Sequence, residues 1–307
     1  MSPTRRDFLS SAATAAAAGL LVRPSPVWAW QSQEAQPVFT PIRRNVGYFT
    51  MRGGTIGFLV NPDAVLVVDS QFPAEATACI AGLNERSGSR PVDCLVNTHH
   101  HGDHTGGNIS FRGIAKSVVA QTKAAEHMHN PPGGEPPTDQ LYPDVTFVES
   151  WTTEVGDEKV TARHYGRAHT SGDVAVTFEQ ANVVHMGDLM FHRRHPVVDR
   201  AAGATLRGWT QALDGTLSDH SKDTIYVFGH AAPGLQPIGT YTDLARFRDY
   251  LNGVLNFVGA QLRAGHSPEE VLAMRDPLRG FEEYGPFGRQ GAREVLTCAV
   301  EEVTKGA

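Results

Sequence analysis

Four histidines and an aspartate fall within the six residues from His99 to His104, and this run constrains the fold more than any other feature of the sequence. It closely follows the apolar run Val92–Val96, so we expect it in the loop after a buried strand. Histidines two apart in an extended segment point the same way, which lets His99 and His101 bind one metal ion together. Asp103 and His104 can turn toward a second ion. Mixed imidazole and carboxylate ligands suit zinc.

Three further residues with metal-binding side chains stand downstream, at the ends of predicted strands. His169 lies between a strand-like run and Thr-Ser-Gly-Asp, which is a turn signal. Asp188 closes a β-rich run, and His230 follows the strand-like run Ile225–Phe228. Each position suits a ligand, and each also has an ordinary interpretation as a loop, turn or cap residue. His100 should point away from its neighbours in the extended loop and is left out of the predicted site.

The hydrophobic pattern predicts strands, a helix, more strands and then helices at the end of the chain. Strands are expected at 46–51, 55–60, 64–69, 92–96, 146–149, 159–164, 174–179, 182–186 and 224–228, and helices at 73–86, 206–217, 241–264, from Ser267 onward and at 289–303. This order favours two sheets packed together with helices outside, rather than a regular alternation of strand and helix. No linker divides the later part of the chain, so one domain is expected there.

The first 29 residues resemble a secretory signal. Paired arginines, Arg5 and Arg6, precede an Ala-rich stretch from Ser10 to Val22, and Val27-Trp28-Ala29 offers a cleavage site. The paired arginines are similar to the twin-arginine class. We therefore expect the twin-arginine export machinery as a partner and a periplasmic or otherwise exported location. The apolar stretch is too short to span a bilayer comfortably, so no stable membrane span is expected in the mature form.

The charge of the chain limits its possible partners, and its cysteine content limits its possible disulfides. A formal net charge of −6 with no basic stripe argues against nucleic acid as a partner. Cys79, Cys94 and Cys298 are scattered, which excludes a dense disulfide framework.

The run His-x-His-x-Asp-His resembles the signature of the metallo-β-lactamase superfamily of binuclear hydrolases. Downstream positions match the other landmarks of that family in order over residues 46–230: Asp69 resembles its structural carboxylate, and His169, Asp188 and His230 resemble its later ligands. The resemblance implies an α+β fold, specifically a four-layer αββα sandwich. The domain organisation expected is a signal over residues 1–29, a lead-in over 30–45, and a hydrolase domain over 46–307 that includes the C-terminal helices.

The resemblance also implies two ligand groups and a cofactor. His99, His101 and His169 would form the first metal site, Asp103, His104 and His230 the second, and Asp188 would lie near both or bridge them. Two Zn²⁺ ions per chain are expected, with iron and manganese left open. Asp69, Thr98 and Gly106 would support the loop.

The chemistry implied is hydrolysis of a small-molecule substrate. A metal-bound hydroxide would attack the carbonyl of an ester, thioester, lactone or lactam. Asp103 would orient the nucleophile and shuttle a proton, which makes it the expected catalytic residue. Arg193 and Arg194 follow Asp188 closely and are candidates for binding an anionic group of the substrate.

Two alternatives stay open. A periplasmic metallo-β-lactamase proper fits export, although those enzymes commonly have cysteine or serine where this chain has Asp188. A mononuclear iron persulfide dioxygenase would belong to a different class and would need one metal only. The metal content of the purified protein distinguishes the second alternative from a binuclear hydrolase.

Overall fold

The computed structural model describes residues 36–274, 278–288 and 291–305. The predicted signal over residues 1–29 lies outside the described residues. The helices are α1 (Pro73–Ser87), α2 (Gly102–Thr105), α3 (Thr122–His129), α4 (Leu206–Asp219), α5 (Tyr241–Arg263), α6 (Pro268–Ala273) and α7 (Ala292–Lys305). The strands are β1 (Val38–Arg43), β2 (Val46–Thr50), β3 (Ile56–Val60), β4 (Val65–Val68), β5 (Cys94–Asn97), β6 (Val118–Gln121), β7 (Val145–Phe147), β8 (Ser150–Val155), β9 (Glu158–Arg163), β10 (Ala175–Phe178), β11 (Val183–His185), β12 (Phe191–His192), β13 (Ile225–Val227), β14 (His230–Ala231) and β15 (Ile238–Gly239).

The strands form two large mixed sheets and one small one. The first has the order β1-β2-β3-β4-β5-β6-β7 and the second has the order β15-β13-β11-β10-β9-β8. In the first sheet, β1 to β4 pair antiparallel and β4 to β7 pair parallel. In the second, only the β11–β13 pair is parallel. Two short strands, β12 and β14, pair parallel to each other.

Alternation along the strands explains why both faces of each sheet are covered. On β4, Leu66 and Val68 belong to the apolar cluster shared with the second sheet, whereas Val65 and Val67 face α1. A third cluster joins the outer face of the second sheet to α4, α5 and α7. Successive side chains of a strand point to opposite faces, so a run without polar residues marks a strand buried on both sides. The layers are helix, sheet, sheet and helix, which confirms the αββα sandwich.

Most predicted elements lie where the sequence places them, and the differences have local causes. The strand β1 pairs with β2 from within the segment assigned to the lead-in, so the sheet begins before residue 46. Its side chains are exposed or half-buried, as expected of an edge strand with a weak apolar pattern. The predicted start at Ser267 is confirmed, because Ser267 and Glu270 form a reciprocal capping box on α6.

The three cysteines, Cys79, Cys94 and Cys298, are free thiols. Among the described residues, no helix combines the length and apolar character needed to cross a membrane.

Candidate metal centre

The histidine run follows β5 and changes direction once. His101 is still extended, with φ −63° and ψ 146°, and the chain then turns into α2 at Gly102. The extended part directs His99 and His101 to the same side, as the sequence predicts. The turn into α2 directs Asp103 and His104 toward a second position, so one short loop serves two groups of side chains.

The first group is made of three imidazoles. His101 Nδ1 lies 3.1 Å from His99 Nε2 and 2.9 Å from His169 Nε2. His169 stands in the connection between β9 and β10, at the turn that the sequence indicated. His99 and His169 are fully buried, while the His101 side chain is 23% exposed.

The second group combines a carboxylate with two imidazoles. His230 Nε2, on β14, lies 3.1 Å from Asp103 Oδ2 and 3.4 Å from His104 Nε2. Asp103 is the more accessible member, with 30% of its side chain exposed, whereas His104 is fully buried. This group therefore opens to solvent on the side of Asp103.

Asp188 lies between the two groups, in a short turn that follows β11. Its Oδ2 is 3.5 Å from His169 Nε2 and 3.9 Å from His99 Nε2. Its Oδ1 is 3.1 Å from His104 Nε2 and 3.4 Å from His230 Nε2. One carboxylate thus directs one oxygen to each group, and the structure brings together all seven side chains that the sequence proposed as ligands.

Hydrogen bonds on the outer side fix which nitrogen each histidine turns inward. His101 Nε2–H donates to Asp199 Oδ2 at 2.9 Å, and His169 Nδ1–H donates to the Val197 carbonyl at 2.8 Å. The Thr98 hydroxyl donates to Asp69, so its oxygen accepts from His99 Nδ1–H at 3.0 Å. Such outer partners are typical of metal-binding histidines.

The inward nitrogens of the first group fit a metal ion. Burial and the neighbouring imidazoles hold the pKa of His99 well below its usual value, and burial lowers that of His169 to about 4. Without a metal ion these rings are therefore neutral, and their inward nitrogens offer lone pairs that a shared cation would satisfy. Nitrogens on a tetrahedral zinc ion are about 3.3 Å apart, given metal–nitrogen bonds of about 2.0–2.1 Å. The observed spacings of 2.9 and 3.1 Å are close to that value.

The second group has the opposite electrostatics. Burial disfavours the charged form of His230, but Asp188 and hydrogen bonds to Asp103 and Asp188 outweigh it and raise the pKa to about 9. Burial also opposes a charge on His104, yet Asp188, Asp103 and Asp69 raise its pKa well above the usual value. The carboxylates therefore stabilise positive charge in this group. Protons on the two imidazoles or a bound metal ion can supply that charge.

Asp69 supports the loop from behind. Its Oδ1 accepts from the Thr98 N–H at 2.8 Å, and its Oδ2 accepts from the Thr98 hydroxyl at 2.8 Å and from His104 Nδ1–H at 2.7 Å. The backbone of Asp69 is left-handed, with φ 64°. Thr98 and His104 therefore share one fully buried acceptor, as the resemblance implied for this position.

Two glycines let neighbouring segments reach the candidate ligands. A Cβ on Gly54 would lie 2.2 Å from Cε1 of the His104 ring, and one on Gly229 would lie 2.0 Å from Asp188 Oδ1. The β2–β3 connection and the segment before β14 therefore contact His104 and Asp188 through backbone that carries no side chain.

Arg193 and Arg194 are not brought into either group. Arg193 forms an ion pair with Glu283 at 2.7 Å, and Arg194 donates to the carbonyls of Ala231 and Pro286 at 2.7 and 2.9 Å. Their contacts thus tie the loop after β12 to the segment before α7. Their proposed role in substrate binding stays a prediction.

Three residues around the centre were not among the predicted site residues. Asp199 bonds the outer nitrogen of His101, although it lies in an irregular loop 98 residues along the chain. The ring centroids of Phe191 and Phe287 lie 5.5 and 4.7 Å from that of His230. Phe191 follows Asp188 by three residues, so the sequence does place it near the centre. Asp199 and Phe287 are brought there only by the folded chain, and neither spacing nor composition identifies them.

An αββα sandwich with two histidine–aspartate groups at the ends of its strands defines a class of metal-dependent proteins. A profile described as the Metallo-beta-lactamase superfamily matches residues 50–232, more than half of the chain. The chain belongs to this superfamily.

The similarity to an individual curated protein covers a smaller part of the chain than the family match. The hydroxyacylglutathione hydrolase of Methylococcus capsulatus is 32% identical over 119 residues, which are 39% of this chain and 41% of that protein. The chain thus matches about two fifths of the length of that curated relative.

Solved structures show similarity of fold. A metallo-beta-lactamase from Pontibacter korlensis superposes with a TM-score of 0.57 at 21% identity, over 71% of this chain and 99% of that chain. A stereoselective inverting sec-alkylsulfatase from Pseudomonas sp. superposes with a TM-score of 0.66 at 15% identity, over 87% of this chain and 50% of that chain.

Proposed function

We propose that the protein is a binuclear, zinc-dependent hydrolase of esters, thioesters or lactones. The observation that carries this proposal is the position of Asp188, whose two oxygens face two complete ligand groups. Nitrogen and oxygen donors in this mixture suit zinc better than Mg²⁺ or Ca²⁺, which prefer all-oxygen sites.

The metal ions and the side chains around them would have different roles in hydrolysis. When bound, the metal ions supply Lewis-acid polarisation of a carbonyl and make water more acidic. Asp103 is the partly exposed carboxylate of the centre, which places its oxygens where they can orient a water molecule and take its proton. Phe191 and Phe287 pack on the His230 ring and exclude water from that side.

The proposed bond class rests on two further observations. Asp188 stands where metallo-β-lactamases proper commonly have cysteine or serine, which favours the thioesterase and lactonase branches of the superfamily. The partial match to a hydroxyacylglutathione hydrolase supports a thioester as the first substrate to test.

A substrate panel with one shared acyl group tests the proposal. The purified chain is assayed with a thioester, an oxyester and a lactone, beside a chromogenic cephalosporin and a secondary alkyl sulfate. We expect hydrolysis of a carbonyl substrate, its loss on chelation and its return with Zn²⁺. Hydrolysis that survives removal of all metal, or oxygen uptake on a persulfide with one iron per chain, would contradict the proposal. Cephalosporin hydrolysis above all other rates would point to a metallo-β-lactamase proper.

Replacement of the proposed proton acceptor sharpens this test. Asp103→Asn keeps the shape of the side chain but loses its basicity, and we expect the rate to fall by roughly 10²-fold or more at saturating zinc. Asp139→Asn is the matched control, because Asp139 is exposed and its ion pair is with Arg112 on the surface. Equal rates for the two variants would remove Asp103 from the reaction.

We also propose export through the twin-arginine route. The support is the pattern of Arg5, Arg6 and the Ala-rich stretch that follows. Replacing both arginines with lysine should leave the full-length chain in the cytoplasm of a host that has this pathway, as measured by fractionation and immunoblotting. Unchanged export of that variant would argue against the twin-arginine route.

A further inference from the structure

A third cluster of side chains that could bind a metal ion lies beside the first group and shares His101 with it. His100 points away from the centre, as expected, and its ring lies against His127 on α3, with centroids 4.9 Å apart. Its side chain is only 6% exposed, and its Nδ1 is buried without a hydrogen-bond partner. The unpaired nitrogen is Nδ1, whereas the nitrogen that faces a carboxylate is Nε2.

The partner available to His100 is a carboxylate. His100 Nε2 lies 3.7 Å from Asp199 Oδ2, too far for a hydrogen bond and close to the spacing of two donors on one metal ion. His101 Nε2–H donates to the same Asp199 oxygen at 2.9 Å, so His101 borders this pair without offering it a free lone pair. The ligand atoms of these three residues all lie within 4.8 Å of one another.

The cluster is open to solvent through a cavity of about 300 Å³. His100, His127 and Asp199 line it, together with Glu135 and prolines of the loop after α3. A hydrated ion therefore has a route to His100 and Asp199 that does not pass through the two-group centre, and the cavity has room for the waters that would complete its coordination.

We propose that His100 and Asp199 form an auxiliary binding site for a divalent cation of the zinc class, with His101 at its edge. The donors are an imidazole nitrogen and a carboxylate oxygen, which is the mixture that zinc accepts. With two protein ligands against three or four in each main group, the auxiliary site fills last, when free zinc is in excess.

Occupation of this site has a consequence for the centre. Asp199 Oδ2 is also the acceptor that orients His101. A cation on that oxygen draws the carboxylate away from His101 Nε2–H and weakens the hydrogen bond. Loss of such an outer partner typically costs roughly 10–100-fold in metal affinity or activity. The auxiliary site would thus make the centre weaker as free zinc rises, and the coupling between the two sites is reciprocal.

Equilibrium dialysis of the full chain against increasing free Zn²⁺, without substrate, tests the proposal. The wild-type chain should bind about two equivalents tightly and a third more weakly. His100→Phe and His100→Gln should lose the third equivalent and keep the first two. His266→Gln is the matched control, because His266 is an exposed histidine remote in sequence from the cluster. It should keep all three equivalents.

Three results would overturn the proposal. The wild-type chain could saturate at two equivalents over the whole range, the third equivalent could persist in both His100 variants, or it could disappear with His266→Gln. The last two outcomes would identify adventitious surface zinc. Because no substrate is present, these outcomes do not depend on the hydrolytic activity. If the chain hydrolyses a panel substrate, excess zinc should slow the wild type and leave both His100 variants unaffected.

Discussion

Asp69 has a strained backbone conformation at a position that supports the candidate metal centre. A left-handed φ of 64° is uncommon outside glycine, although Asp and Asn tolerate it better than most residues. The conformation costs about 1–3 kcal/mol and persists only where the surroundings fix it. Here three hydrogen bonds to Thr98 and His104 fix it, so the strain is located directly behind the candidate ligand His104 and behind Thr98, which bonds His99.

Asp69→Asn should therefore weaken metal binding without a large change in shape. The amide would direct N–H groups at a donor, either the Thr98 N–H or His104 Nδ1–H. We expect zinc affinity to fall by roughly 10–100-fold, measured by competition with a chromogenic chelator. Asp139→Asn, on the exposed surface, is the control and should match the wild type. An Asp69→Asn chain with wild-type affinity would show that the outer shell does not orient His104.

Gly229 tests how closely the backbone approaches the carboxylate of Asp188. Its missing side chain leaves room for Asp188, and an added Cβ would lie 2.0 Å from Oδ1. Gly229→Ala should displace the carboxylate and reduce the metal content of the purified chain at fixed chelator concentration. Gly134→Ala is the control, because a Cβ there meets nothing within 4 Å. Equal metal contents in the two variants would contradict the proposed position of Asp188.

At the scale of elements, strand ends were the predictable part of the structure. The buried runs before His99, Asp188 and His230 are strands β5, β11 and β13, and each candidate ligand follows its strand closely. Their apolar, β-branched composition marks them whatever the tertiary context. The edge strands β1 and β8 carry exposed and half-buried residues, so their pattern is too weak to identify them from sequence.

Glu302 links two helices and was not predicted, because its function depends on a neighbour almost a hundred residues earlier. Its carboxylate accepts from the backbone N–H groups of Leu206 and Arg207 at 2.6 and 3.1 Å, capping the first turn of α4. That helix carries Trp209, whose ring centroid lies 5.5 Å from that of His169. The C-terminal helix therefore supports the wall of the first group.

Glu302→Ala should lower the free energy of unfolding by about 1–3 kcal/mol, because it leaves two backbone donors of a buried helix end unpaired. Denaturant unfolding at saturating zinc measures the change. Glu85→Gln, on the exposed side of α1, should stay within about 0.5 kcal/mol of the wild type. A Glu302→Ala chain as stable as this control would mean that water satisfies the end of α4.

At the scale of the whole molecule, the centre joins the two halves of the sandwich. His99, His101, Asp103 and His104 follow a strand of the first sheet, whereas Asp188 follows a strand of the second. Ligands from both sheets must meet, so the site forms only when the halves pack. The four-layer fold was predictable because the order of the landmarks resembles one family, not because hydrophobic periodicity specifies how sheets pack.

The surroundings of the centre were not predictable at this scale. Arg193 and Arg194 follow Asp188 closely in sequence, yet in the folded chain they bond to Glu283 and to backbone carbonyls. Glu283 and Pro286 lie beyond α5 and Ala231 lies on β14, and a local pattern carries no information about these partners. The loops that select a substrate are set by such distant packing, which is why the sequence predicts ligands better than substrates.

The metal content of the purified full-length chain, compared with that of Asp188→Asn, tests the central claim most directly. The substitution keeps the shape of a side chain whose two oxygens face both groups and removes its charge. Elemental analysis after dialysis against a weak chelator should give about two zinc ions per wild-type chain and clearly fewer in the variant. A single iron in the wild type, or equal zinc in both proteins, would contradict a binuclear zinc centre joined by Asp188.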